Sequence, residues 1–345
     1  MSTLKHEAFV FDPRPHYPLL ITAKRYWKED SRYLEDDDAL TLVFAHGTGF
    51  HKEQWEPAID DLYSLLGDSG SERVRIREVW SIDAPNHGDA AVLNEKTLLF
   101  GYEPVFGWEE YARSIHAFLA GLGIGVNTDF TKRKLVGIGH SMGAVSVLLS
   151  QNYFPLVKFT SVILCELMTM QQKYIAKPQV ILVKGSSNRR DIWPSTEEAY
   201  KSFKSRGAWK IWDDRVLRTF VEYGTRPLPT AYYPDKTEGV TLKCSRAQET
   251  ASYRDPLGFS RVYNNLREYA KRTPVHMIYG AINDYLPEES QEDVVNAIGG
   301  KHCLASFSRV EGAGHLIVQM NPRGLAKHIY NALVITQNSP LRGKL

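Results

Sequence analysis

The chain has 345 residues, of which 43% are hydrophobic and 24% are charged, and its formal net charge at pH 7 is +2. This length allows a large domain with an inserted segment, and the ordinary hydrophobic content excludes a largely disordered chain. The near-neutral charge, with no long basic stripe among aromatic residues, excludes the signature of a nucleic-acid-binding protein.

Cysteine content and the terminal sequence bear on the compartment. The three cysteines are scattered and show no Cys-x-x-Cys spacing, which argues for a reducing compartment and against a disulfide framework or a zinc site. The N-terminal residues contain no basic segment followed by a long apolar run, so no secretory signal is visible. No apolar stretch approaches the length of a membrane span. We therefore expect a soluble intracellular protein.

Short β-branched, apolar runs alternate with helical patterns along the chain. This alternation predicts an α/β fold with a mostly parallel sheet and crossover helices. Helices are predicted at 108–122, directly after Ser141, and at 322–335. The predicted strands are 19–26, 40–45, 75–82, 134–139, 161–165, 275–279 and 305–311.

The first two turns of interest follow the strands at 40–45 and 75–82. Residues 45–49 are Ala-His-Gly-Thr-Gly, and glycines in such a loop let backbone amides approach a substrate carbonyl oxygen. An ordinary strand-to-loop turn is an equally good interpretation of this glycine pair. Residues 83–89 are Asp-Ala-Pro-Asn-His-Gly-Asp, which we expect to shape a pocket wall rather than to take part in catalysis.

The strongest motif follows the strand at 134–139. Residues 139–143 are Gly-His-Ser-Met-Gly, and small residues compatible with a helix come next. A strand, a tight turn and a helix form the context of a nucleophile elbow, which predicts Ser141 as the nucleophile. The backbone amide of Met142 is then one predicted oxyanion donor. Thr48 is predicted to supply the second donor, with Gly49 as the alternative.

The general base is predicted from a late glycine-flanked loop. His315 follows the strand at 305–311 and precedes the C-terminal helix, so the order serine, acid, histidine is satisfied. His46 and His140 belong to turn motifs, and His302 precedes its strand rather than following it.

Two carboxylates compete for the role of the acid that orients His315. Glu166 follows the strand at 161–165, and Asp284 follows the strand at 275–279. Either could hold the imidazole in the required tautomer. Many hydrolases of this kind carry an aspartate at the position that Asn283 occupies, so Asp284 is displaced by one residue. We favour Glu166 and keep Asp284 as the alternative.

A long segment separates the strands at 161–165 and 275–279. We predict that 168–273 forms a helical cap or lid inserted into a core of residues 1–167 and 274–338. Within it, helices are predicted at 195–212 and 255–272, and the one strand-like run is 180–183. The basic residues of the cap either contact the phosphates of CoA or form a solvated helix face; they are Arg189, Arg190, Lys201, Lys204 and Arg206.

The C-terminal tail, 339–345, ends in Gly343-Lys344-Leu345. This tripeptide differs by one substitution from Ser-Lys-Leu, the signal read by the peroxisomal import receptor. We therefore predict peroxisomal localisation, with the cytoplasm as the alternative.

Together these motifs resemble the α/β-hydrolase superfamily over about residues 40–335. A narrower resemblance is to a fungal peroxisomal branch that includes a yeast peroxisomal lipase, the acyl-CoA hydrolase of mycophenolic acid biosynthesis and hydrolases of toxin clusters. Residues 83–89, 139–143, 241–244 and the tail carry this resemblance. In that branch the acid directly follows the strand after the elbow, which implies Glu166.

The resemblance implies hydrolysis of an ester or thioester, with an acyl-CoA of fungal secondary or lipid metabolism as the expected substrate. No metal or organic cofactor is needed for a serine nucleophile. The alternatives are a general carboxylesterase or lipase, a carbon–carbon bond hydrolase, and an inactive ligand-binding relative. An epoxide hydrolase or dehalogenase is excluded because it needs a carboxylate where Ser141 stands.

Overall fold

A computed structural model of the chain describes residues 4–68 and 73–338. Within these residues, eight strands form one sheet in the order β1-β2-β4-β3-β5-β6-β10-β11, and three short strands form a second sheet in the order β7-β9-β8. The strands are β1 (Leu4–Phe11), β2 (Ile21–Lys28), β3 (Leu40–Ala45), β4 (Ile76–Ile82), β5 (Lys134–His140), β6 (Phe159–Cys165), β7 (Ile192–Trp193), β8 (Thr225–Pro227), β9 (Val240–Leu242), β10 (Val275–Gly280) and β11 (Ser306–Val310).

Helices connect and cover these strands. The α-helices are α1 (Glu56–Asp68), α2 (Gly88–Leu93), α3 (Glu95–Gly101), α4 (Trp108–Leu119), α5 (Met142–Ser150), α6 (Ala176–Asn188), α7 (Thr196–Lys204), α8 (Gly207–Lys210), α9 (Asp214–Gly224), α10 (Arg246–Tyr253), α11 (Leu266–Arg272), α12 (Glu288–Ile298), α13 (Ile317–Met320) and α14 (Pro322–Asn338). Short 3-10 helices lie at Lys52–Trp55, Phe130–Lys132, Gln172–Tyr174, Tyr263–Asn265 and Lys301–Cys303.

The large sheet is parallel except at one edge. The strands β1 and β2 pair antiparallel, as do β2 and β4, and the remaining neighbours are parallel. Every residue of β3 is buried, as expected for a parallel strand covered on both faces. The carboxyl ends of β3, β5, β6, β10 and β11 therefore meet at one edge of the sheet, where the predicted site residues follow them.

Two layers of helices enclose this sheet. Side chains of α4 and α5 pack on one face, and those of α1 and α14 pack on the other. Successive residues of β3 alternate between the two layers: Val43 belongs to the first and Phe44 to the second. These findings confirm the predicted α/β-hydrolase architecture of a mostly parallel sheet flanked by helices.

The segment 168–273 has a hydrophobic cluster of its own. Trp193, Phe203, Val216 and Phe220 are buried in it, beside the small sheet formed by β7, β8 and β9. We refer to 168–273 as the cap segment; the domain boundaries at 167/168 and 273/274 stay a prediction.

Several predicted elements were wrong in detail. The run at 180–183 lies in α6 and not in a strand, because a short apolar run alone does not distinguish the two. The predicted helix at 195–212 is divided by the extended backbone of Arg206. The one at 255–272 is α-helical only from Leu266 on, after the 3-10 helix at Tyr263–Asn265. The edge strand β1 was not predicted, because most of its side chains are exposed and its apolar pattern is weak.

No helix within residues 4–68 and 73–338 is long and apolar enough to cross a membrane.

Candidate active site

Ser141 lies on the sharp turn between β5 and α5. Its backbone adopts φ 54° and ψ −117°, and its amide donates a 3.0 Å hydrogen bond to the carbonyl oxygen of Cys165. The flanking glycines permit this turn. A Cβ atom on Gly139 would lie 2.5 Å from the backbone of Ala144, and one on Gly143 would lie 2.3 Å from the carbonyl oxygen of Ala45. The turn thus holds the serine hydroxyl at the end of the sheet.

His315 lies beside this serine. Its Nε2 atom is 3.0 Å from Ser141 Oγ, and the residue is only 5% exposed to solvent. The loop is fixed from behind, because His140 Nε2 donates to the carbonyl oxygen of His315 over 2.8 Å. Burial lowers the pKa of His140 to about 3, so this histidine remains a neutral structural group.

The two competing carboxylates reach different atoms of His315. Glu166 Oε2 lies 3.0 Å from the ring atom Nδ1, whereas Asp284 Oδ1 accepts a 2.8 Å hydrogen bond from the backbone amide of His315. Glu166 also accepts from the amide of Gly280 through its other oxygen. The imidazole therefore contacts the acid that the sequence favoured, and the alternative acid holds the loop.

Backbone strain singles out the same residues. Among the residues that the structure describes, Ser141 and Glu166 are the only non-glycine residues with positive φ. Such conformations cost free energy and persist where the surrounding structure fixes them, commonly at functional sites. Both residues directly follow neighbouring strands, β5 and β6.

The loop after β3 faces the first turn of α5. The Thr48 hydroxyl donates to the sulfur of Met142 over 3.3 Å. The backbone amide of Gly49 is already engaged, because it donates to His87 Nε2 over 2.8 Å. Thr48 and Gly49 were the two residues predicted to supply the second oxyanion donor. Because the Gly49 amide is bonded to His87, the amide of Thr48 is the better candidate. Amides in the first turn of α5, including that of Met142, have no partner within the helix.

Buried polar residues support this loop from below. The ammonium of Lys52 lies 2.9 Å from Asp83 and 2.9 Å from Glu53, and the backbone amide of Lys52 donates to Asp83 over 2.8 Å. These three side chains are almost fully buried. The turn at 83–89 thus supports the loop through Asp83 and His87. We had expected it to shape a pocket wall, but none of its residues lines the cavity beside Ser141.

Lys52 and Glu53 were missed by the sequence interpretation. A lysine and a glutamate together after a glycine-rich loop are typical of a solvated surface. The signal available was Asp83, a lone carboxylate at the end of a fully buried strand, which requires a cationic partner.

A cavity of about 160 Å³ opens beside Ser141 and His315. Its walls come from both the core and the cap segment and are mostly aromatic or aliphatic. They include Phe50, Trp108, Leu182, Trp209, Trp212 and Phe259. The aromatic residues of the cap segment therefore serve two roles: Trp193 lies in the core of the segment, whereas Trp209 and Trp212 also line the cavity.

Comparison with known proteins identifies the family to which the chain belongs. Residues 42–328 match the model of the "Alpha/beta hydrolase family". The chain belongs to this family.

This alpha/beta hydrolase also has individual relatives. It is 28% identical over 222 residues to a type I acyl-CoA thioesterase, mpaH, of Penicillium roqueforti, covering 62% of this chain and 46% of the relative. It is 26% identical over 297 residues to the peroxisomal membrane protein LPX1 of Saccharomyces cerevisiae, covering 81% of this chain and 70% of that protein. The chain thus spans less than half the length of the thioesterase it matches.

Among solved structures, the peroxisomal α/β-hydrolase Lpx1 of Saccharomyces cerevisiae superimposes with a TM-score of 0.74 at 21% identity. The match covers 99% of this chain and 91% of the other. The expected resemblance to the fungal peroxisomal branch is confirmed at the level of family and fold.

The basic residues of the cap segment in this alpha/beta hydrolase differ in their surroundings. Lys201 pairs with Glu198 and Lys204 pairs with Asp214, both at exposed positions, as expected for a solvated helix face. Arg189 lines the cavity and is paired with Glu249. The predicted peroxisomal signal at 343–345 lies outside the described residues.

Proposed function

We propose that this chain is a serine hydrolase that cleaves an ester or thioester bond through an acyl-enzyme. Ser141 is the nucleophile, His315 is the general base, and Glu166 orients the imidazole. The observation that carries the proposal is the pair of hydrogen bonds that link Ser141 Oγ to His315 Nε2 and His315 Nδ1 to Glu166, beside a cavity with many aromatic and aliphatic side chains in its walls.

The first step forms the acyl-enzyme. Nδ1–H of His315 donates to Glu166, which leaves Nε2 unprotonated and able to take the proton of the Ser141 hydroxyl. The serine oxygen then attacks the acyl carbonyl carbon. The carboxylate of Glu166 stays ionised and stabilises the imidazolium that forms.

The first step ends with loss of the leaving group, and the second step releases the acid. The oxyanion formed on the carbonyl oxygen is stabilised by the backbone amides of Met142 and Thr48, aided by the positive end of α5. When the tetrahedral intermediate collapses, the bond to the leaving group breaks and the imidazolium of His315 protonates the departing thiolate or alkoxide, which leaves the acyl-enzyme. His315 then deprotonates a water molecule that attacks the acyl carbonyl carbon. The ester bond to Ser141 breaks, the acid departs, and His315 returns the proton to Ser141 Oγ. The sequence of proton transfers uses the chain's own side chains throughout.

We assign an acyl-CoA as the substrate class. The name of the Penicillium relative is that of an acyl-CoA thioesterase, and aromatic and aliphatic cavity walls suit the acyl part. CoA is much larger than the cavity and would lie outside it. Arg190 is adjacent to the cavity-lining Arg189, and Arg206 is two residues before the cavity-lining Ala208, so these two arginines could meet its phosphates.

The test compares purified wild-type protein with Ser141→Ala on acyl-CoA thioesters and the matching p-nitrophenyl esters. We expect thioester hydrolysis by the wild type, loss of about a thousandfold or more in the variant, and labelling of the wild type alone by a fluorophosphonate probe. Turnover of simple esters alone would favour a general esterase. An unlabelled, folded wild type would instead indicate a ligand-binding protein.

We also propose import into peroxisomes through Gly343-Lys344-Leu345. A relative of this chain carries the name of a peroxisomal protein, and the tripeptide is close to the Ser-Lys-Leu signal. A fluorescent fusion that ends with Gly343-Lys344-Leu345 should be punctate, and the same fusion without these three residues should be cytosolic. Punctate fluorescence of the truncated fusion would contradict this proposal.

A further inference from the structure

One wall of the apolar cavity carries a buried ion pair from the cap segment. Arg189 Nη1 lies 3.0 Å from Glu249 Oε1 and 2.9 Å from Glu249 Oε2, and the two side chains are 18% and 7% exposed. Both residues line the cavity that contains Ser141 and His315. A buried ion pair of this kind contributes little to the stability of the folded protein, because both groups lose most of their hydration.

The hydrogen-bonding capacity of this pair is only partly used. Glu249 contacts the guanidinium through Nη1 alone, and the buried Nε atom of Arg189 has no hydrogen-bond partner among the described residues. Guanidinium groups normally bind planar acceptors through two nitrogen atoms. The Nε atom itself is closed to solvent, but the Arg189 side chain is 18% exposed at the cavity wall, so a ligand would meet the guanidinium at its terminal nitrogen atoms.

A third polar group lies at the same wall. Tyr253 lines the cavity, and its hydroxyl makes no hydrogen bond within the described part of the chain. Burial and the neighbouring charge of Glu249 raise the pKa of Tyr253, which keeps the phenol protonated as a donor. Glu249 also packs against the loop of the oxyanion site, since a Cβ atom on Gly49 would lie 2.8 Å from its carboxylate.

We propose that Arg189, Glu249 and Tyr253 form a specificity subsite for an acyl group that carries a neutral oxygen function, a hydroxyl or a keto group. Such an oxygen accepts from Arg189 and Tyr253, and a hydroxyl also donates to Glu249. A plain alkyl chain would displace water from the pair and replace none of its hydrogen bonds. A carboxylate would face Glu249, with only one guanidinium between the two anions. The inference rests on the proposed function only in assigning the cavity to the acyl group.

The test measures binding without turnover, in the inactive Ser141→Ala protein. Calorimetry compares hexanoyl-CoA with hexanoyl-CoA hydroxylated at each successive carbon of the chain, and with adipoyl-CoA as the anionic analogue. We expect one hydroxylated thioester to bind at least about tenfold more tightly than hexanoyl-CoA, since sites built for a hydroxyl reject analogues that lack it. Adipoyl-CoA should bind more weakly than that hydroxylated thioester.

Two variants in the Ser141→Ala background locate the preference. The double substitution Arg189→Met with Glu249→Leu removes both charges together, so no buried charge is left alone, and it should abolish the preference. Its matched control is Lys201→Met with Glu198→Leu, an exposed pair of the same cap segment, which should keep it. Tyr253→Phe removes one hydroxyl and should lower the preference about threefold.

The outcomes separate this inference from the proposed function. Equal binding of plain and hydroxylated thioesters, a preference that survives in the double variant, or tighter binding of adipoyl-CoA would each overturn the subsite, even if the wild type hydrolyses thioesters. A preference that behaves as expected, in a protein whose wild type neither hydrolyses thioesters nor reacts with a fluorophosphonate, would support the subsite and refute the hydrolase.

Discussion

At the scale of single residues, Glu166 and Asp284 both hold His315 but act on different parts of it. Glu166 contacts Nδ1, the ring nitrogen that carries a proton in the proposed mechanism. Asp284 accepts from the backbone amide of the same residue and from that of Tyr285. The first contact concerns the charge of the imidazole, and the second concerns the position of the loop. Charge-removing substitutions at the two sites should therefore have different effects.

We expect Glu166→Gln to lower kcat by roughly a thousandfold or more, because the amide can donate to Nδ1 and hold the imidazole in the wrong tautomer. Asp284→Asn keeps an acceptor for the backbone amides and should lower kcat by less than about tenfold. Steady-state kinetics on one acyl thioester measures both variants against the wild type. Similar losses in both variants would mean that Asp284 shares the electrostatic role.

The sequence could predict Ser141 and His315 more directly than their neighbours, and the reason is geometric. The elbow at 139–143 and the loop at 312–315 are local patterns, each with its own glycines. The acid was ambiguous because β6 and β10 are adjacent parallel strands, so the residues after both reach the same edge of the sheet. Likewise, the choice between Thr48 and Gly49 as the second oxyanion donor depends on the hydrogen bond between Gly49 and His87. That bond joins two loops that are distant in sequence, so no local pattern could reveal it.

At the scale of elements, the elbow depends on the close approach of α5 to the strands beside it. A methyl group on Gly143 would overlap the carbonyl oxygen of Ala45 at the end of β3. Gly185, in α6, offers a matched comparison, because no atom outside its chain neighbours and the backbone of its own helix lies within 4 Å of the position where its Cβ would be placed.

We expect Gly143→Ala to lower the free energy of unfolding by about 3 kcal/mol, since the backbone of β3 or α5 must move to accept the methyl group. Gly185→Ala should raise it by about 0.5–1 kcal/mol, because glycine in a helix is less favourable than alanine. Urea unfolding followed by circular dichroism measures both. Equal stability of the two variants would show that the elbow tolerates a side chain at position 143.

At the scale of the whole molecule, the parallel core was predictable and the strands within the cap segment were not. Strands such as β3 are continuous apolar runs because both faces are covered, and this pattern is visible in the sequence. The short strands β7, β8 and β9 span only two or three residues each, so no periodic pattern can develop. Their pairing depends on contacts between distant parts of the segment, as in the pairing of Arg226 with Thr241.

Buried histidines on three parts of the fold couple its stability to pH. Burial lowers the pKa of His46 and of His276 to about 4, and that of His140 to about 3. Each ring accepts or donates hydrogen bonds as a neutral group; His276, for example, contacts Ser306 and Thr336. In the unfolded chain these histidines titrate near pH 6.5.

Because the pKa values of these histidines are lower in the folded protein, the unfolded chain binds more protons than the folded one between about pH 6.5 and 4. The free energy of unfolding should therefore fall as the pH falls through this range. Each such histidine contributes up to about 1.4 kcal/mol per pH unit. Replacing His276, which lies on β10 and contacts Thr336 of α14, by Gln should therefore make the loss of stability from pH 7 to pH 5 smaller by about 2 kcal/mol. Urea unfolding at the two pH values measures this difference, with His302→Gln, at an exposed histidine, as the control. An unchanged pH dependence in His276→Gln would show that His276 gains a proton in the folded protein.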